Sequence, residues 1–319
     1  MIRFDKRHLL RWFGIALSVI IVVVAGAALF RVLRDVKFVE VIDAARAMNA
    51  TNIVLAAFAI TGSYLTLTFY DFFALRTIGR TDIPYRIAAL TSFTSYTIGH
   101  SAGVMAVISA AVRYHIYSTC GLSAVEVGKV CFITGLTFWL GNACMLGLGL
   151  AFDPGMASLV DQLPAAVNSA LAFVLFAAAF FYVLWVWQGD RVIGRGSWEV
   201  TLPNGPSTLI QILIGIVDLT CATAAMYLLM PDGPSIQFTA LLVVFISATL
   251  LGYASHAPGG LGVFDAAMLV ALSQFEKEDL IARLLIFRML CYVMPFALAV
   301  TILGIRQFWL TGRTLQPKS

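Results

Sequence analysis

Long apolar runs, broken by short clusters of polar and charged residues, dominate this chain. A span across the hydrocarbon core needs about 20 apolar residues in a helix. Runs of that kind lie near 13–32, 52–72, 128–150, 167–187, 208–230 and 284–306. Two further apolar regions are interrupted. One runs over 84–98, meets Gly99-His100-Ser101-Ala102-Gly103, and resumes to about 113. The other runs over 237–254, meets Ser255-His256-Ala257-Pro258-Gly259-Gly260, and resumes to about 272. Each reads as two short helices around a glycine break. Residues 31–50 mix basic residues with Asp35, Glu40 and Asp43 in an amphipathic pattern, which predicts a helix lying in the membrane interface.

The two interrupted regions align at an offset of 156 residues. Gly99–Val112 and Ser255–Met268 share five of 14 positions, and the same shift carries three of the full spans onto three others. The pattern predicts one transmembrane domain over 1–319, built from a repeat at about 13–150 and a second at about 167–306. If each broken pair is a re-entrant hairpin, each repeat crosses the membrane three times, so the repeats are inverted. The expected fold is therefore an all-α polytopic membrane protein with about six full spans and two re-entrant pairs. Inverted repeats with matching breaks are a layout of secondary transporters, with the site where the breaks meet.

Composition agrees. Of 319 residues, 60% are hydrophobic and 12% charged, with a mean hydropathy of +0.90, against about 25% charged in soluble domains. The net charge of +4 forms no stripe or tail suited to nucleic acid. With the N-terminus inside, segments 1–12, 73–86, 113–129, 188–207 and 306–319 hold 14 Lys and Arg, and the outer segments hold six. Loops 151–166 and 231–236 hold none. The positive-inside rule then puts both termini in the cytoplasm. Arg3, Lys6, Arg7 and Arg11 before the first run, and Ala25-Gly26-Ala27 within it, imitate a signal peptide; the continuing membrane pattern argues for an uncleaved span.

Candidate chemistry gathers at the breaks and at the ionisable residues inside spans. In His256-Ala257-Pro258-Gly259-Gly260-Leu261-Gly262-Val263-Phe264-Asp265, Pro258 suits a first helical turn. Gly259 and Gly260 let a ligand approach the backbone, and a helix start there offers N–H groups to phosphate; a Gly-rich packing contact is the alternative. His100 and His256 are related by the repeat, and each suits either a headgroup or a carbonyl freed by the break. Ser101 and Gly103 accompany His100. Asp218 and Arg288 lie inside spans, where ionisable residues are functional candidates, and Asp265 follows the second break. Pairing of Asp218 or Asp265 with Arg288 is the structural alternative. Arg113-Tyr114 and Asp71 lie near span ends, where snorkelling also accounts for charge. Five scattered cysteines, without a Cys-x-x-Cys pair, read as small buried hydrophobes. No zinc spacing, phosphate loop or Ser-His-Asp pattern is present, so no metal, cofactor or catalytic residue is expected.

Four stretches together resemble the multiple peptide resistance factor family, the lysylphosphatidylglycerol synthase/flippase proteins. They are Tyr70-Asp71-Phe72-Phe73-Ala74-Leu75, Ser92–Arg113 with Tyr114, Gly135-Leu136-Thr137-Phe138-Trp139-Leu140-Gly141, and Pro258–Asp265. The similarity covers about residues 10–310. Members often carry Glu at the position of Asp265. The resemblance implies an inner-membrane domain that translocates aminoacylated phosphatidylglycerol, a role tied to antimicrobial-peptide resistance. It also implies that the aminoacyl-transfer activity of full-length members, which belongs to a soluble C-terminal domain, is not expected here. The expected ligand is an anionic or aminoacylated phospholipid. A secondary transporter of a small anion or amphiphile, and a non-transporting membrane partner of a lipid-modifying enzyme, stay open. So do a homodimer and a separate lipid-modifying enzyme as partners.

Overall fold

The computed structural model describes residues 48–102, 105–231 and 233–314, with isolated positions at 39, 42, 43 and 46. The expected span at 13–32 and most of the expected interfacial helix at 31–50 lie outside the described residues. The chain is an all-α polytopic membrane protein, and five of its described helical segments are long and apolar enough to cross a membrane.

The spans run past the apolar stretches that announce them. They are α1 (Ala50–Thr77), α4 (Ala124–Phe152), α6 (Ala165–Trp187), α7 (Gly205–Leu229), and a last one over Lys277–Arg306. At about 1.5 Å per residue a helix of α4's size is longer than the hydrocarbon core of about 30 Å. Its first turn therefore reaches polar surroundings, where side chains close the free N–H groups. Ser123 and Glu126 form a reciprocal capping box on α4, with the Ser123 N–H donating to Glu126 Oε2 at 2.7 Å. Asn49 caps α1, accepting from the Thr51 N–H at 2.9 Å, and Asn204 caps α7, accepting from the Ser207 N–H at 3.0 Å.

The last span consists of α10 (Lys277–Arg288), a π-helical turn at Met289–Val293, and α11 (Met294–Thr314). Pro295 has no N–H to bond the Cys291 carbonyl, four residues back, and the helix widens there. The Tyr64 hydroxyl of α1 donates to that carbonyl at 2.8 Å.

Both interrupted regions are helical pairs. The first is α2 (Tyr85–Ala102) and α3 (Met105–Tyr117), and the Ser109 hydroxyl of α3 donates to the Ser95 carbonyl of α2 at 2.8 Å. The helix continues through Gly99, His100 and Ser101 and ends at Ala102, inside the interruption expected at 99–103. The Ser101 hydroxyl bonds back to the Thr97 carbonyl at 3.0 Å, which a helix accommodates. The second pair is α8 (Phe238–Ala254) and α9 (Val263–Ala271), joined by a turn at Pro258–Gly260. A small α5 (Pro154–Asp161) packs on α6 and α8. A two-stranded ribbon, β1 (Val192–Ile193) with β2 (Val200–Thr201), sits between α6 and α7.

Side-chain contacts give the directions of these elements. α1 and α7 share the most extensive helix interface among the described elements. Along it Gly62 faces Cys221, Ser63 bonds Asp218, and Tyr70 meets Gly215, so the two helices are antiparallel. These are the helices that the offset of 156 superimposes, and they cross in opposite senses.

Charged side chains pair at one face. Arg80 donates to Asp82 at 2.9 Å, to Glu126 at 2.8 Å and to the Cys120 carbonyl at 3.2 Å. Its hydrogen bonds to Asp82 hold that carboxyl below its usual range. Arg306 donates to Thr119 at 3.0 Å, and the Trp198 ring lies against Gly128. Segments 78–84, 118–126, the ribbon and the end of the last span therefore share this face. The first hairpin opens here too, since Ile83, Tyr117 and Leu122 pack in one cluster. At the other face, Gly149 near the end of α4 meets Val243 near the start of α8, and Gly233 faces Phe275. The second hairpin opens there.

Candidate functional site

The two hairpins, entering from opposite faces, meet at a cavity of about 510 Å³. Its walls are Tyr96 and His100 of α2, Val107, Ser109 and Arg113 of α3, Thr134, Gly135, Phe138 and Trp139 of α4, and Gly252, Tyr253, His256 and Gly260 around the second break. Trp139 is 62% and Val107 66% exposed. Trp139 lies midway along α4 and Val107 near the hairpin tip, so among the described residues the mouth opens sideways at mid-depth.

Of the residues singled out from sequence, His100, Arg113, His256 and Gly260 line this cavity. The histidines differ. His256 takes a left-handed backbone (φ +54°) and its Nδ1–H donates to the Ala254 carbonyl at 2.9 Å. His100 is held between Tyr96 and Tyr253, at ring separations of 5.8 and 5.4 Å, and its buried Nε2 has no hydrogen-bond partner among the described residues. His256 thus takes the carbonyl-bonding role that sequence left open for both, and His100 keeps a free nitrogen.

Arg113 faces the cavity with its guanidinium 4.8 Å from the Tyr96 ring. Behind it Asp71, fully buried, accepts from Arg113 Nη2 at 2.8 Å and from the Tyr117 hydroxyl at 2.8 Å. Neither partner snorkels: the pair is 3% and 0% exposed. Asp71 is thus a buried support for Arg113, and it does not line the cavity. Tyr114 packs, half buried, in the cluster of the charged face. Ser101 points into its own helix, and Gly103 lies outside the described residues.

At the second break Gly259, Gly260 and Gly262 all take positive φ, of 60°, 64° and 80°, which an L side chain adopts at a cost. The turn begins at Pro258, but α9 starts at Val263, beyond the glycines. There Asp265 already accepts from the Gly262 N–H at 3.1 Å. The N–H groups that a helix start at Pro258 would offer to phosphate are therefore displaced toward an internal acid. Asp265 also receives Arg288 Nε at 3.0 Å, and Arg288 Nη1 donates to the Gly259 carbonyl at 3.4 Å. Of the two acids that sequence offered to Arg288, Asp265 is the partner. Asp218 is elsewhere, accepting the Ser63 hydroxyl across α1 and α7.

Asp218 lines a second, smaller chamber of about 60 Å³ with Ser63, Tyr64, Thr249, Cys291 and Tyr292. Tyr96, His100, Phe138 and Tyr253 border both spaces and form an aromatic layer between them. Tyr96, Phe138 and Trp139 lie in stretches that carried the family resemblance; Tyr253 and Ser63 carried no signal in sequence, because only the meeting of α1, α2, α7 and α8 gives them a site.

No family model matches the chain. Relatives do. It is 27% identical to inner membrane protein YbhN of Escherichia coli, covering 93% of this chain and 91% of that one. It is 27% identical to an uncharacterised protein of Synechocystis, over 76% of this chain and 75% of the relative. It is 22% identical to a phosphatidylglycerol lysyltransferase of Staphylococcus aureus, over 90% of this chain but only 33% of the relative. The matched part of that enzyme is its N-terminal part, so this chain is similar to the transmembrane domain of the lysylphosphatidylglycerol synthase family.

Proposed function

From the similarity to that transmembrane domain, we propose that this chain is a lipid translocator of the bacterial inner membrane, moving phospholipid between leaflets. The observation that carries the reading is the sideways mouth of the cavity. A portal at mid-depth between Val107 and Trp139 opens toward acyl chains. A headgroup can enter there while its tails stay in the bilayer, whereas a water-soluble anion would have to cross hydrocarbon first.

The polar groups of the wall suit a phospholipid headgroup. The Arg113 guanidinium can donate to phosphate, while the His100 Nε2 lone pair and the Ser109 oxygen, whose proton goes to the Ser95 carbonyl, can accept from glycerol hydroxyls. For an aminoacylated headgroup, the ammonium meets the faces of Tyr96, Phe138 and Tyr253, which attract cations. Asp71 and Asp265, engaged by Arg113 and Arg288, have no free charge to offer it. In this reading repeats at about 13–150 and 167–306 each contribute one hairpin to a shared site. The face holding Arg80 and Arg306 is cytoplasmic, with both termini.

Purified protein in liposomes tests the proposal. Fluorescent phosphatidylglycerol should become accessible to an external quencher faster than in protein-free vesicles. Equal rates with and without protein would refute it. Acceleration of a soluble anion alone, with no lipid movement, would point to a secondary transporter.

A further inference from the structure

Among the described residues, three acids lie within the membrane-embedded body, Asp71, Asp218 and Asp265, and two arginines, Arg113 and Arg288. Each arginine is held by its own acid, which leaves Asp218 with no cation among the described residues. Asp218 is 8% exposed and receives one hydroxyl donor, from Ser63. An ionised carboxylate so placed is cut off from bulk water and receives a single hydrogen bond from the protein, which is a costly state.

Its neighbours do not relieve it. Tyr64 and Tyr70 face it from α1, and Tyr64 has already given its hydroxyl to the Cys291 carbonyl. Cys291 and Tyr292 face it from the last span, Tyr253 from α8, and Tyr96 and His100 from α2. Cys221, one turn on in α7, adds a thiol. All except His100 are weak acids, neutral at pH 7. Among these groups His100 alone carries a ring-nitrogen lone pair that can pick up a proton and pass it on. It borders both the chamber and the outer cavity, and its Nε2 is unclaimed.

We propose that Asp218 is a proton-binding site, separate from the headgroup cavity and reached from it past His100. A proton arriving in the outer cavity is taken by the His100 Nε2 lone pair. It is then passed across the chamber to the Asp218 carboxylate, leaving neutral imidazole and a neutral carboxylic acid, with Ser63 still donating to the acid. The chamber, of about 60 Å³, has room for a few water molecules and no room for an aminoacyl group. The proton's arrival or departure therefore changes the charge directly behind the headgroup cavity without competing for its space.

Infrared spectroscopy tests this directly, because a protonated carboxyl has a carbonyl stretch that a carboxylate lacks. The full chain is placed in nanodiscs of ether lipid, which contribute no ester carbonyl, at about pH 7, where an ordinary carboxyl is ionised. Wild type should show a protonated-carboxyl band that Asp218→Asn removes. Ser63→Ala should keep the band but move it, since the hydrogen bond to the acid is lost. A wild type without the band, or a band unchanged by Asp218→Asn, would overturn the proposal. Neither result depends on lipid movement, so the proton site and the translocator reading fail separately.

Discussion

Gly141 on α4 and Gly215 on α7 touch backbone to backbone: a Cβ placed on Gly141 would lie 2.8 Å from the Gly215 Cα, and one on Gly215 2.7 Å from the Gly141 Cα. Small residues let membrane helices approach this closely. The contact lies one turn from Asp218 and two residues after Trp139, so it fixes α4 against the α1–α7 pair that carries the inner chamber. Gly215→Val should push α4 and α7 apart and cost about 1–3 kcal/mol or more. Thermal unfolding in detergent should show a clear loss of stability. Gly304→Ala, on a helix with nothing within 4 Å of the new methyl, should leave stability unchanged or slightly raised.

The Asp71–Arg113 pair predicts a second asymmetry. Both side chains are buried and in a bidentate arrangement, with Tyr117 as a third partner. Removing one charge strands the other, at about 3–5 kcal/mol. Asp71→Asn and Arg113→Met should therefore each lower the yield of monodisperse protein sharply. The double change, which leaves no uncompensated charge, should recover much of that yield. If the double change is as damaging as the sum of the two, the pair is not the reason these residues matter to folding. The same comparison at Arg288 and Asp265 should give smaller effects, since Asp265 is 25% exposed and screened accordingly.

How much of this was legible beforehand depends on the range of the interaction. Spans and hairpins follow from local hydrophobic patterning and local caps, and the Ser123–Glu126 box is written in adjacent turns. Orientation was also legible, since the repeat implied that α1 and α7 oppose one another. Choice of partner was not. Sequence offered Arg288 two acids, and only the fold brings Asp265 to it and turns Asp218 toward Ser63, 155 residues away. Where α2 ends within the first interruption was not legible either. Gly99 and Gly103 look alike as helix breakers, but the chain stays helical through Gly99 to Ala102. Pro295 stood in plain view within a span, yet its consequence, a widened turn met by Tyr64, needs a helix from the other half of the molecule.

The sidedness proposed for the two faces gives a third prediction. Ser235 and Gln162 are exposed at the ends of α8 and α5, on the face where the second hairpin opens, and Ser197 is exposed in the ribbon of the opposite face. On a cysteine-free background, Ser235→Cys and Gln162→Cys should react with an impermeant maleimide added to intact spheroplasts. Ser197→Cys should react only after the membrane is opened. The reverse pattern would turn the molecule over, and labelling of all three from outside would contradict the assignment of faces.

The last prediction concerns bulk in the cavity. Substitution at Gly260 is a poor probe of ligand binding, because its φ of +64° and its contact with Gly252 at 3.4 Å add backbone strain and crowding to any steric block. Gly135 is a better one. It lies within the regular helix α4, lines the cavity, and has nothing within 4 Å of a built Cβ. A larger residue there enters the cavity and not a neighbouring helix, and leaving glycine removes a helix cost of about 1 kcal/mol. Gly135→Leu should therefore match or exceed wild-type thermal stability in detergent, while the protein-dependent rate of lipid movement in liposomes falls several-fold. Gly135→Ala, with one methyl, should fall between the two in rate at the same stability. Full lipid movement in Gly135→Leu at wild-type stability would mean that lipid does not pass through this cavity.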